Sequence, residues 1–281
     1  MKRAINLEIY RLKKNKYPYI IIILSILMMS GSVFMTSSDY HYYLQNQDAF
    51  NNLKTTYEQV NWGIYAGSVM PNWVELKSIP ITELFMRNIQ SKILLMFQTI
   101  FVVLFIGEEI RSKFLKNIIA AFPKKIDLIL GKFIVIAVFT LFLFISNFLF
   151  MMLTFYLQEG YIVFTNLNHF LKYVLVEYLL YLSYSSLIML LVYLIKNSAA
   201  SLLIGILDAS GILEIVDTII HSSISNSNSF SIMNYIVTGR IVLLSINSSG
   251  IMYLHSIISA IIFLIISITG TYLLFRNKDV C

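Results

Sequence analysis

The strongest constraint on the fold is the blocking of apolar residues into long runs. The segments at about 18–36, 89–106, 128–157, 170–195, 198–219 and 251–275 are almost uninterrupted by charge. A helix needs roughly 20 mainly apolar residues to cross the hydrocarbon core of a bilayer. A soluble domain instead spreads its apolar residues at the period of its helices or strands, and about a quarter of its residues are charged. Here 58% of the residues are hydrophobic and 13% charged, and the spans leave little chain for a separate soluble core. The expectation is an all-α polytopic membrane protein: six transmembrane helices forming a single domain over residues 1–281.

The segments between the runs have their own character. Residues 2–16 form an amphipathic pattern, with Ile5, Ile9 and Leu12 on one face and Arg11, Lys13 and Lys14 around the rest. Such a helix, residues 1–17 with its flanks, lies in the membrane interface with its cations toward lipid phosphate. The run that follows is longer than the apolar core of a signal peptide and lacks a small-x-small cleavage site, so it reads as a retained span. Residues 37–88 form a polar loop. Tyr40, Tyr42, Tyr43, Trp62 and Trp73 there suit the membrane–water boundary, and 45–60 is a helical candidate within the loop. Lys196 and Asn197 make a tight turn between two spans. The Ser/Asn-rich stretch 221–231 reads as a loop. Residues 232–246 are apolar but too short to span, as in a re-entrant or interfacial segment before the last span.

Net charge is +6, and its distribution explains it without nucleic acid. With an even number of spans, the basic residues of 1–17, 107–132, Lys196 and the C-terminal tail share one side. They far outnumber Lys54, Lys77, Arg87, Lys92, Lys172 and Arg240 on the other. Lysine and arginine accumulate on the cytoplasmic side, where they also meet anionic lipid. Both termini and residues 107–127 are therefore expected in the cytoplasm, and 37–88 outside. Cys281 is the single cysteine, which excludes an internal disulfide and a cysteine metal site.

Residues 107–127 are the most informative polar segment. Phe114, Leu115, Ile118 and Ile119 give an apolar stripe among Arg111, Lys113 and Lys116, and Pro123 ends any helix before a second basic pair. A short amphipathic helix held between two spans is suited to docking in another protein's groove. The run Glu108-Glu109-Ile110-Arg111-Ser112-Lys113-Phe114-Leu115-Lys116-Asn117-Ile118, then Pro123-Lys124-Lys125 and Leu130-Gly131-Lys132-Phe133, resembles the ABC type-2 permeases. In that family an acidic residue closes the second span and a basic, Asn-containing coupling helix follows. Then come a proline, basic residues and a Gly-Lys pair. The ending Leu274-Phe275-Arg276-Asn277-Lys278-Asp279-Val280 is similar to the family's apolar-basic-Asp close. The long 37–88 loop departs from the pattern.

The resemblance implies the transmembrane subunit of an ATP-binding-cassette exporter, paired with a second permease, identical or related. Separate ATPase subunits would dock at Glu108, Glu109, Arg111, Lys113, Phe114, Lys116 and Asn117. It further implies a bacterial cell membrane and a hydrophobic or amphipathic substrate such as an antimicrobial peptide. No GxxxxGK[ST] phosphate loop occurs in the chain, and Gly131-Lys132 lacks its upstream glycine and following Ser/Thr. ATP and Mg are accordingly expected on the partner ATPase, with no cofactor and no catalysis on this chain.

Acidic residues inside spans are the remaining candidates. Glu177 lies in the fourth run and Asp208, Glu214 and Asp217 in the fifth. A carboxylate at mid-bilayer is costly, so it faces protein or water or stays protonated. Asp208, Glu177 and Glu214 are candidate pathway residues; the alternatives are a helix–helix hydrogen bond or an interfacial position. Ser201, Gly205 and Ala209 recur at i, i+4, i+8, a stripe that lets two helices approach closely, within or between subunits. An ATP-independent channel or secondary transporter is the first alternative function. Asp208 and Gly211 are the hints of the broken helix such carriers use. A non-transporting sensor or anchor subunit is the second. A membrane metalloprotease is disfavoured because Arg111 follows Glu109 by two residues rather than four, and His169, His221 and His255 are solitary.

Overall fold

A computed structural model describes residues 1–59, 67–112, 125–223 and 231–277, and the described residues are helical or loop throughout. In chain order the helices are α1 (Lys2–Lys14), α2 (Tyr17–Gln45), α3 (Gln47–Gln59), α4 (Pro71–Glu75), α5 (Ile81–Gln90) and α6 (Ile93–Arg111). They continue with α7 (Lys125–Glu159), α8 (Leu167–Ile195), α9 (Ser198–Ala209), α10 (Ile212–Ser223), α11 (Val237–Leu243) and α12 (Gly250–Asn277). Five of them, α2, α6, α7, α8 and α12, are long and apolar enough to cross a membrane, so the chain is a multi-pass membrane protein by length and composition.

The expected fifth span, 198–219, is instead two 12-residue helices. The break falls at Ser210–Gly211, where Gly211 has a positive φ of 92°. Glycine adopts that left-handed backbone at no steric cost. Twelve residues rise about 18 Å, well short of a roughly 30 Å hydrocarbon core. The second span is also shifted. The expected start at 89 belongs to α5, Lys92 turns the chain with φ 62°, and α6 then runs on to Arg111. The polar loop 37–88 is largely helical: α2 extends to Gln45, and α3, α4 and α5 follow.

The bundle is built inside-out relative to a soluble protein. α2 turns Ile20, Ile23, Leu27, Met28, Phe34 and Met35 outward and buries Ser25, Ser32 and Thr36 among Ile21, Met29 and Val33. Pro18 sits in its first turn, where a missing N–H costs no helix bond. Lipid offers no hydrophobic drive for helix association, so buried polar pairs help set the packing. Asn147 Nδ2 donates to Ser25 Oγ at 2.9 Å. Gln98 Nε2 donates to Thr140 Oγ1 at 2.7 Å and to Ser185 Oγ at 2.9 Å. Ser186 and Ser267 hydroxyls meet at 2.5 Å. These pairs join α2 to α7, α6 to α7 and α8, and α8 to α12. α8 is the hub, packed against α6, α7, α9, α11 and α12.

One end of the bundle is capped by α3, α4 and α5. Every α5 residue except Glu83 is buried. Trp73, expected at the membrane boundary, is fully buried instead, because its indole N–H finds Glu83 Oε2 at 2.7 Å. Tyr40 is buried as well, Tyr42 is exposed, and Trp62 lies outside the described residues. The segment 231–246 holds a 3-10 turn (Ile232–Asn234) and α11, and Gln90 Nε2 of α5 donates to Leu244 O at 2.7 Å. At the opposite end lie α1, the close of α6, the opening of α7 and the last turns of α8 and α12. Asn197 caps α9 there, its side chain accepting from the amides of Ala199 and Ala200.

Candidate functional site

At the α1 end, four charged side chains meet inside protein. Glu109, at the close of α6, and Lys132, in the second turn of α7, pair at 2.8 Å. Lys132 also binds Glu8 of α1. Arg11 reaches Glu8 at 2.8 Å and Glu109 at 3.6 Å, and it donates to the Phe105 carbonyl at 3.2 Å while lying over the Phe105 ring. Tyr193 of α8 donates to Glu109 Oε2 at 3.3 Å, and its ring packs edge-on against Phe275 of α12. Glu8, Glu109 and Lys132 are at most 1% exposed. Two carboxylates and two cations balance, which is the condition under which buried charge survives. Burial alone would lower the Arg11 pKa; the carboxylates of Glu8 and Glu109 outweigh it and hold the guanidinium above its usual value.

The local sequence explains the close approach. Gly131 faces α1, and a Cβ there would lie 3.2 Å from the Ala4 backbone, so glycine lets α1 and α7 touch. Glu8 is the single acid of α1 and lies on the Ile5–Ile9–Leu12 side. α1 therefore departs from the expected arrangement: Ala4 and Glu8 turn into the bundle, Ile9 and Leu12 pack partly against its core, and Lys13 and Lys14 stay exposed. Sequence reasoning missed Glu8 and Lys132 as partners. The available signals were a lone acid in a basic helix and a lysine inside an apolar run.

Of the coupling residues expected from sequence, Glu109 is in this network and is buried, not presented to a partner. Glu108 is exposed and accepts from Asn15 Nδ2 at 2.7 Å, and Arg111 is exposed. Lys113, Phe114, Lys116 and Asn117 lie outside the described residues. The network thus brackets the segment 113–124, with α6 leading into it and α7 leading out.

The pathway candidates do not converge. Asp208 lies in the last turn of α9 and lines a groove of about 230 Å³ between α8 and α9, with Tyr184, Leu187, Leu191, Leu194 and Ile204. Thr238 of α11 donates to its Oδ1 at 3.3 Å, and Tyr184 donates to the Gly205 carbonyl at 2.9 Å. Ser198, at the start of α9, abuts Gly107, so Asp208 stands about 15 Å along the bundle from the charged end. Glu177 is fully buried on α8 beside the Tyr173 hydroxyl. It sits one turn from Tyr173 and one from Tyr181, toward the capped end. Near that end burial draws the Arg87 guanidinium down to about 10, with Tyr173 partly offsetting it. The Glu214 side chain lies outside the described residues. Asp217 is held by Ser231 and the Ile232 amide, both at 2.7 Å. Ser201, Gly205 and Ala209 are buried, and a Cβ on Gly205 would come within 2.6 Å of Thr99 on α6 and 3.0 Å of Ile188 on α8. That stripe packs within this chain.

The chain matches no protein-family model and no curated protein.

Proposed function

We propose that this chain is the membrane-spanning subunit of an ATP-binding-cassette exporter. In this reading it crosses the membrane six times, with α9 and α10 together making the fifth crossing. Its termini and residues 107–127 face the cytoplasm of a bacterial cell, and it acts beside a second permease. One observation carries the reading: the Glu8–Arg11–Glu109–Lys132 network ties α1 to the helices entering and leaving the segment 113–124. A cytoplasmic ATPase docked on that segment would push on a unit rather than on a flexible loop. Tyr193 would pass the displacement to α8, and Phe275 to α12. ATP drives such a cycle only through its differential affinity for the two states. ATP and Mg sit on the partner, and the exported molecule is hydrophobic or amphipathic, an antimicrobial peptide being one candidate. The test is affinity purification of the full chain from native membranes. An ATPase subunit should copurify with the unaltered chain and be lost from Arg111→Glu/Lys116→Glu, while the spans still insert. A complex that survives both reversals contradicts the docking site.

A second reading, an ATP-independent carrier, draws on the break at Ser210–Gly211 with Asp208 beside it. Ion-coupled carriers bind their substrates at such broken helices near the bilayer midplane. Substrate uptake by reconstituted chain alone, driven by an ion gradient, would favour it over the exporter.

A further inference from the structure

Arg240, in α11, is only 8% exposed, and its Nε has no hydrogen-bond acceptor. Among the described residues no carboxylate pairs with it, and the group that favours its charge is the Tyr235 phenol. The acids that touch this segment are engaged otherwise: Asp208 accepts from Thr238, and Asp217 from Ser231 and the Ile232 amide. A buried carboxylate can escape its cost by taking up a proton, but a guanidinium stays charged. Its counter-charge is therefore sought outside the helices that bury it, and depth says what is there. α6 rises about 28 Å from Arg111 to Ile93, close to the thickness of a hydrocarbon core. Gln90, just before α6, holds the Leu244 carbonyl. The Leu244 amide in turn bonds the Arg240 carbonyl at 3.0 Å. Arg240 thus stands about one helical turn inside the membrane boundary of the capped end, where phospholipid phosphates are the abundant anions.

We infer that Arg240 holds the phosphate of a phospholipid from the surrounding leaflet. A guanidinium presents paired N–H donors that match two phosphate oxygens. Tyr235, 60% exposed, brings a phenol to the same surface. Gly239 seats α11 on the 3-10 turn that ends at Tyr235, since a Cβ there would collide with the Met233 backbone. Arg240 and Tyr235 therefore belong to one closely packed piece. A path for the acyl chains adjoins it. The Tyr235 carbonyl accepts from Ser259 of α12 at 3.4 Å, and Leu254, Ile258 and Ile262 make an exposed stripe at i, i+4, i+8 beside Ser259. The headgroup sits at Arg240 and the chains run down that stripe. The inference needs only the placement in a membrane and is independent of any ATPase.

The test uses the full chain in maltoside micelles and two probes with the same pyrene-labelled acyl chains. One is phosphatidylglycerol and the other is diacylglycerol, which lacks the phosphate. The unaltered chain should bind phosphatidylglycerol saturably and at least about ten-fold more tightly than diacylglycerol, a preference worth one decade of Kd. Arg240→Gln should remove that preference, and millimolar glycerol 1-phosphate should not displace the lipid. Equal affinity for the two probes, or an undiminished preference in Arg240→Gln, overturns the proposal, because Arg240 then meets water alone. Displacement by glycerol 1-phosphate also overturns it and assigns the site to a soluble phosphate. Should Arg240→Gln fail to insert, phosphatidylglycerol carrying a diazirine in one acyl chain decides the matter on the unaltered chain. Photolabel on α12 supports the site, and label confined to other helices overturns it. Because no ATPase is present, a negative result here leaves the exporter reading standing.

Discussion

Lys132 and Glu109 pair at 2.8 Å inside protein although they lie on opposite sides of the segment 113–124. The pairing fastens the two arms of that segment to each other, and Glu8 and Arg11 fasten both arms to α1. Between the long helices deeper in the bundle, pairs such as Gln98 with Thr140 and Ser186 with Ser267 join neutral side chains. Formal charge is concentrated where force would enter.

Removing one member of the network should hurt more than removing a balanced pair. Lys132→Met strands two buried carboxylates with Arg11 alone, and breaking a buried ion pair from one side costs about 3–5 kcal/mol. Lys132→Met/Glu8→Met leaves Arg11 opposite Glu109 and should recover most of that loss. Thermal unfolding of purified protein in detergent, run as a double-mutant cycle, measures it. Additive losses would mean the four groups do not act together.

The small-residue stripe gives a sharper contrast. Gly205→Ala places a Cβ 2.6 Å from Thr99 Cγ2 and 3.0 Å from Ile188, forcing α9 away from α6. Overpacking of this kind costs about 1–3 kcal/mol. Gly31→Ala, on α2, meets nothing within 4 Å and should be neutral or slightly stabilising, since alanine is the better helix former. Equal melting temperatures for the two variants would contradict the packing of α9 on α6.

Glu177→Gln should not destabilise. Glu177 is buried beside the Tyr173 hydroxyl; an amide oxygen accepts from that hydroxyl as a carboxylate does, and an amide of the same shape avoids the larger cost of a buried charge. A melting temperature at or above that of the unaltered chain is expected. A fall of several degrees would reveal a cationic partner for the acid.

The spans were legible because lipid imposes a length requirement that shows in one dimension. Asn197 was legible as a turn because its cap is local: its side chain bonds amides two and three residues ahead. The break in the fifth run was legible only as a hint. Ile204 to Leu207 and Ile212 to Leu213 keep hydropathy high on both sides, and the interruption between them is short: Asp208, Ser210 and Gly211. Glu8 and Lys132 were illegible as a pair because their contact spans most of the first half of the chain. Each has a bland local reading, one as an interfacial acid and the other as a snorkelling lysine. The burial of Trp73 depended on Glu83 arriving beside it through a turn and a second short helix, which composition does not encode.

The claim on which the mechanism stands is that residues 107–127 face the compartment that holds ATP. In a Cys281→Ser background, Arg111→Cys and Lys54→Cys place single thiols at exposed positions of α6 and α3. Labelling with a membrane-impermeant maleimide should reach the Lys54→Cys thiol in intact cells and the Arg111→Cys thiol only after permeabilisation. Labelling of Arg111→Cys in intact cells would put the segment on the outer face and remove the ATPase from the account.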